Sequence, residues 1–175
     1  MADALSTTVK ASIDWLFKET LATDGTFIND ASTLSYTLDM LDGTTDASSQ
    51  SDKIWHYKNA ALTVAGPETL DLSALTLTVF GSTVTIAFVE VTAILIQNNS
   101  TPSTSIITVG AAGANAWTAP FGGTTPTIKV GPNSVWLSTN PLGTPWTVDG
   151  THKNLLLTAA GATISYNIVI VGRSA

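Results

Sequence analysis

The sequence predicts an all-β fold: an antiparallel β-sandwich, jelly-roll-like, with an N-terminal strand or arm. Three observations carry this. Threonine is the commonest residue, with 29 copies, and branching at Cβ suits strands better than helices. Apolar residues recur at every second position in several segments, the period of a strand with one buried face. Gly, Pro, Asn and Asp clusters punctuate the chain about every 8–12 residues, the turn spacing of sandwiches and barrels.

Residues 9–21 open the pattern. Val9, Ala11, Ile13, Trp15 and Phe17 alternate with Lys10, Ser12, Asp14 and Lys18, with Leu16 the exception. This reads as a long half-buried strand. Asp24-Gly25 signals a turn. Leu34, Tyr36, Leu38 and Met40 alternate with Thr33, Ser35, Thr37 and Asp39, which predicts a second strand. Residues 42–52 read as a polar loop and 53–57 as an aromatic strand. Residues 67–75 are helix-like for at most two turns, with Glu68 and Asp71 near the start.

Residues 84–97 are apolar on both faces, as a central sandwich strand would be. After a loop at 98–105, shorter strands are expected at 106–109, 127–130, 134–138, 146–148, 155–158 and 162–171. In the last of these Ile164, Tyr166, Ile168 and Ile170 share a face. Gly122-Gly123, Gly131-Pro132-Asn133 and Asp149-Gly150 separate the later segments. No composition break marks a second domain, so residues 1–175 are expected to form a single sandwich domain. Residues 1–30 are the part best suited to an arm contacting a neighbouring subunit.

Charge is unevenly spread. Residues 1–90 hold twelve acids and four bases, whereas residues 91–175 hold only Lys129, Asp149, Lys153 and Arg173. Soluble domains average about 25% charged residues, so a β-rich stretch this bare is expected to hide surface against copies of itself or a partner. The acidic half argues against nucleic acid, which needs clustered Lys and Arg to displace counterions. Cysteine is absent, which excludes disulfides and thiolate metal sites. Met1-Ala2-Asp3 lacks the basic and apolar regions of a secretory signal. The longest aliphatic run, Ala93-Ile94-Leu95-Ile96, is far short of the roughly 20 residues that span a bilayer. The product is expected in the cytoplasm when made, without membrane partners.

Catalytic groups are scarce. His56 and His152 are the only histidines, and no nucleophile elbow is present. His56 lies between Trp55 and Tyr57 in a strand, and His152 follows the turn Asp149-Gly150-Thr151. Asp39, Asp42, Asp46 and Asp52 form the densest carboxylate group, and the 42–52 loop is an oxygen-rich candidate for calcium. It lacks the alternating order of a calcium loop and reads by default as solvated acid. Gly110-Ala111-Ala112-Gly113 lacks the Lys-Ser/Thr pair of a phosphate cradle. No catalytic residue, cofactor or metal ligand is therefore assigned.

The five tryptophans suit a core, a subunit interface or a sugar-stacking surface. Trp117 and Trp146, beside Pro120 and Pro145, are expected at the surface, while Trp136 could face either way. Val9, Ile13, Trp15, Phe17, Trp117, Pro120, Phe121 and Trp146 are the candidate contact residues, together with the low-charge loop through 120–126.

Several stretches resemble small structural proteins of tailed bacteriophages. They are Gln50 through Lys53-Ile54-Trp55, Glu68-Thr69-Leu70-Asp71-Leu72-Ser73, Phe80-Gly81, and Phe88 through Gln97-Asn98-Asn99-Ser100. Ile107-Thr108-Val109-Gly110, Ile128-Lys129-Val130-Gly131-Pro132 leading into Val135-Trp136-Leu137, and the closing 166–172 share the likeness. The resemblance implies a non-enzymatic virion component, above all a capsid decoration (cement) protein that stabilises the assembled head. Its implied partners are itself, as a homotrimer, and the major capsid protein lattice. The alternative it implies is a tail, baseplate or fibre protein with a receptor- or glycan-binding role. It transfers no active-site residue.

Overall fold

A computed structural model describes residues 4–20, 27–45, 49–143 and 145–175, with the side chains of residues 19, 20, 27 and 28 left aside. The predicted Asp24-Gly25 turn and Asp46 lie outside the described residues. Among those described, thirteen strands and no helix are present. The predicted all-β antiparallel sandwich is what the chain forms, and every named strand pair is antiparallel.

Strands β1 (Thr7–Thr20) and β2 (Phe27–Met40) pair along their full length as a hairpin. The sandwich body begins with β3 (Lys53–Leu62) and β4 (Glu68–Asp71). A second hairpin, β5 (Leu75–Val79) and β6 (Ser82–Ile86), follows. Then come β7 (Glu90–Asn98), β8 (Ile106–Gly110), β9 (Thr127–Val130) and β10 (Val135–Thr139). The chain closes with β11 (Trp146–Thr147), β12 (Asn154–Ala160) and β13 (Ile164–Arg173).

One sheet runs β10-β7-β13-β3, with β11 continuing along β7. The other runs β4-β12-β8-β9. The pairs are nested: β3 with β13, β4 with β12, β7 with β10, and β8 with β9. Pairing of β13 with β7 and of β12 with β8 joins these ribbons side by side.

Period two decides which side chains fill the sandwich. Ile94 and Ile96 of β7 stand opposite Ile170 and Ile168 of β13, and all four are buried in the main core. Ile107 and Val109 of β8 and Leu155 and Leu157 of β12 belong to the same cluster. The odd residues Ala93, Leu95, Val169 and Val171 face outward, where the hairpin root meets them. At the shift of register between Val171 and Gly172 the backbones close in. A Cβ on Gly172 would stand 2.1 Å from the Glu90 carbonyl oxygen, so only glycine fits.

Three sequence expectations are corrected. The helix-like segment at 67–75 is strand β4 followed by a turn. Asp71 Oδ1 accepts from the Ser73 amide at 3.0 Å and the Ser73 hydroxyl at 2.6 Å, and Glu68 accepts from the Tyr166 phenol at 2.5 Å. Carboxylates that looked like helix-start signals instead fasten strand ends. The expected continuous strand at 84–97 is two strands broken at 87–89. There Phe88 N donates to Leu72 O at 3.0 Å and Val89 N to Arg173 O at 2.8 Å while the chain crosses into the sheet. The N-terminal strand is present, but it is not half-buried.

Asp71 also accepts from Lys153 Nζ at 2.7 Å. Burial alone would push the Asp71 carboxyl upward, yet the bonds from Lys153 and Ser73 and the Lys153 charge hold it below its ordinary value. Asp149 is likewise held down, chiefly by the Thr151 amide and hydroxyl and by His152. Both folded values lie below the ordinary Asp value of about 3.9. Their stabilisation is thus fully present above about pH 4 and is lost as the pH falls through the folded values. Thermal melts across pH 2–7 are expected to show a flat upper limb and an acid fall. In Lys153→Met that fall should shrink, because the Lys153 part of the Asp71 share is gone while the Ser73 bonds remain.

Candidate interaction surface

The β1–β2 register sorts the hairpin into two unlike faces. Val9 pairs Leu38, Ala11 pairs Tyr36, Ile13 pairs Leu34, Trp15 pairs Ser32 and Phe17 pairs Asp30, giving one largely apolar face with the Asp30 carboxylate towards its outer part. The other face carries Thr8, Lys10, Ser12 and Asp14 opposite Asp39, Thr37, Ser35 and Thr33. Thr8 Oγ1 donates to Asp39 at 2.7 Å and Thr33 Oγ1 to Asp14 at 2.6 Å, so the polar face is fastened by its own cross-strand bonds.

At its root the apolar face is covered. Met40 packs with Ala93 and Val171, and Leu5, Val9, Leu38, Ile54 and Val169 surround them. Ser51 Oγ, 2.8 Å from Thr92 Oγ1, reaches Met40 Sδ at 3.4 Å and ties the root to the sheet. Asp42 accepts from the Leu5 amide at 3.0 Å. Beyond the root the cover stops. Every described residue of 11–18 and 29–37 is exposed, including Ile13 at 67%, Phe17 at 53% and Leu34 at 67%. Tyr36 makes the one side-chain hydrogen bond described from this outer part to the body, to Thr139 at 3.3 Å.

At about 3.4 Å per residue, such a 14-residue strand runs ~45 Å. A two-stranded ribbon with a bare apolar face is marginal in water. The arm is therefore the element with most to gain from a partner.

Of the expected contact residues, Ile13, Trp15 and Phe17 stand on this face, and Val9 sits half-buried at the root. The arm is also larger than residues 1–30, because β2 forms half of it. The loop aromatics behave differently. Trp117 is only 2% exposed, which overturns its expected place at the surface. Its Nε1 donates to Thr147 O at 3.1 Å, and its backbone amide donates to Asn154 O at 2.9 Å. Trp146 meets it edge-on at 6.0 Å, and Phe121 at 6.2 Å. Trp136 turns inward and packs against Phe121 at 5.9 Å. Pro120, Phe121 and Trp146 are half-buried. The aromatics of this uncharged loop pack against the main core, while Gly122 and residues 124–126 stay exposed.

The charge-poor stretch is barer outside than its composition suggests. Arg173 is fully buried and donates to Glu90 at 2.8 Å, to Gln50 O at 2.8 Å and to Pro141 O. Lys153 is held by Asp71, and Asp149 by its own turn. Lys129 and Asp149 are the charges of this half that stand exposed.

The histidines do not form a relay. His152 Nδ1 lies 3.1 Å from Asp149 Oδ2 and 3.0 Å from Thr151 Oγ1, so acid and hydroxyl meet the same ring nitrogen. A base must bridge its acid and its nucleophile through opposite nitrogens, and this cluster is a turn cap. His56 stands on the outward side of edge strand β3 opposite Val169. Among the described residues no group of three or more His, Asp or Glu gathers as a metal ion would need. Asp39, Asp42 and Asp52 serve separate bonds, the last to Ser174.

No protein-family model matches this chain, no curated protein is similar to it, and no solved structure is.

Proposed function

We propose that the chain is a non-enzymatic virion structural protein of a tailed bacteriophage, a capsid decoration (cement) protein that binds the assembled head as a homotrimer. The observation that carries this reading is the arm: one apolar face, covered at its root by the sandwich and bare along its outer length. Such a face suits repeated, mainly apolar contacts with identical copies and a capsid lattice. The energy of each contact is multiplied when linked copies bind together. The sandwich reads as a jelly roll, because nested pairs of first strand with last and second with next-to-last are the winding of that fold.

A second reading, a receptor- or glycan-binding role on a tail, baseplate or fibre, rests on one feature. An open groove of about 650 Å³ between β3, β4 and β5 carries the half-exposed Tyr57 ring beside Glu68 and Thr69. Binding of host polysaccharide to the purified chain, abolished in Tyr57→Ala, favours that role over the first.

The arm is tested by Ile13→Asp, Trp15→Ser and Phe17→Ser together. These residues are exposed, so the melting temperature should move little, since surface changes stay within about 0.5 kcal/mol each. Head occupancy should collapse and the homotrimer should be lost. Full occupancy by the triple variant overturns the proposal.

A further inference from the structure

The hairpin β5–β6 ends in a turn that its sequence does not favour. Val79 pairs Ser82, leaving Phe80-Gly81 as a two-residue loop with both φ angles positive, +50° and +80°. Asn-Gly fits such a turn because both residues tolerate the left-handed region. Gly81 does so, but a bulky aromatic there is an outlier held against its own preference.

Packing does not account for it. Phe80 is 102% exposed, and its neighbours Val79 and Val84 are 40% and 44% exposed. Leu77 and Ile86, on the same face nearer the body, pack against the main core. The hairpin therefore carries an apolar face outward from the core and ends it in a bare phenyl ring.

A receptor of matching chemistry exists elsewhere on the same chain. Between the arm root and the outward face of the first sheet lies an open cavity of about 270 Å³. Its walls include Val9, Leu95, Leu137, Val169 and Val171, with Lys10 the one charged residue. A cavity of roughly 150 Å³ lined by aliphatic side chains is enough to take up benzene. A phenyl ring on a projecting turn fits this space.

We infer that Phe80 of one copy inserts into the cavity beside the arm root of a second copy. Tip and cavity are different patches of the chain, so the contact runs head to tail and either closes a ring or extends a filament. It is separate from the arm contact proposed above, because Ile13, Trp15 and Phe17 belong to neither patch.

The test uses two variants of the full chain. Phe80→Asn should relax the turn, raising the monomer melting temperature by about 2–4 °C. It should also weaken self-association in sedimentation by more than about ten-fold, as loss of an aromatic anchor does. Leu137→Glu should block the cavity and weaken association equally. Mixed in the background of Ile13→Asp, Trp15→Ser and Phe17→Ser, which removes the arm contact, the two variants retain one intact contact between them and should form one-to-one dimers and nothing larger. Unchanged association of Phe80→Asn, a lower melting temperature for it, or a mixture that stays monomeric overturns the inference. In the arm triple variant by itself the head-to-tail contact should persist, and its complete loss there likewise overturns the inference.

Discussion

Replacing Arg173 by alanine is expected to be among the most damaging single changes in the body. Its guanidinium has no exposed surface and spends its donors on three separate segments: Gln50 O, Glu90 Oε2 and Pro141 O. Alanine would leave the Glu90 carboxylate and two carbonyls without that donor. Breaking a buried ion pair from one side costs about 3–5 kcal/mol. At roughly 2–4 °C per kcal/mol for a chain of this size, the melting temperature should drop by about 10 °C. Arg173→Lys should recover only part of the loss, since an ammonium cannot supply three divergent donors from the same position. Differential scanning calorimetry decides it; a loss below about 1 kcal/mol for alanine would show that the carbonyls find other partners.

The same substitution at two tryptophans should give opposite results. Trp117→Ala removes a ring from the core, where Phe121 and Trp146 lean on it edge-on and Thr147 accepts from its Nε1. Aromatic truncation in a core costs about 3–5 kcal/mol. The loop that carries Trp117 should also loosen, read as faster amide exchange. Trp15→Ala, on the arm, removes a ring 42% exposed that bonds weakly to Asp30 at 3.3 Å. Its melting shift should stay within about 0.5 kcal/mol, while self-association falls. Equal destabilisation by both would mean that the arm folds as part of the body.

These expectations separate what could be read from the chain and what could not. The strand content, most strand positions and the shared face of Ile13, Trp15 and Phe17 were legible, because period-two alternation depends on the nearest neighbours alone. Whether the apolar side of an alternating strand is covered depends on what lies across from it. Two equal alternating runs around Asp24-Gly25 signalled a hairpin, but not that this hairpin leaves the sandwich. Trp117 was misplaced because Pro and Gly beside a tryptophan look like an exposed loop. Its burial follows from the Asn154 and Thr147 carbonyls that receive its two donors, which are distant in sequence. Phe80 passed unnoticed as a site, since its oddity is a backbone angle. The break at 87–89 was hidden because the segment is apolar on both sides of it.

The nested pairing has a consequence for how the molecule comes into being. Among the described strands β3 pairs with β13, with Ile54 opposite Val171. Everything between them must be synthesised first. At about 5–20 residues per second, the core-facing side of β3 waits on the order of ten seconds before its sheet can close. The arm emerges earlier still, complete in its own local register. Distant pairing of this kind slows folding, and a nascent chain that already displays an apolar ribbon is open to premature pairing with its neighbours on the same message. Slow closure and early self-recognition are thus set by one topological choice.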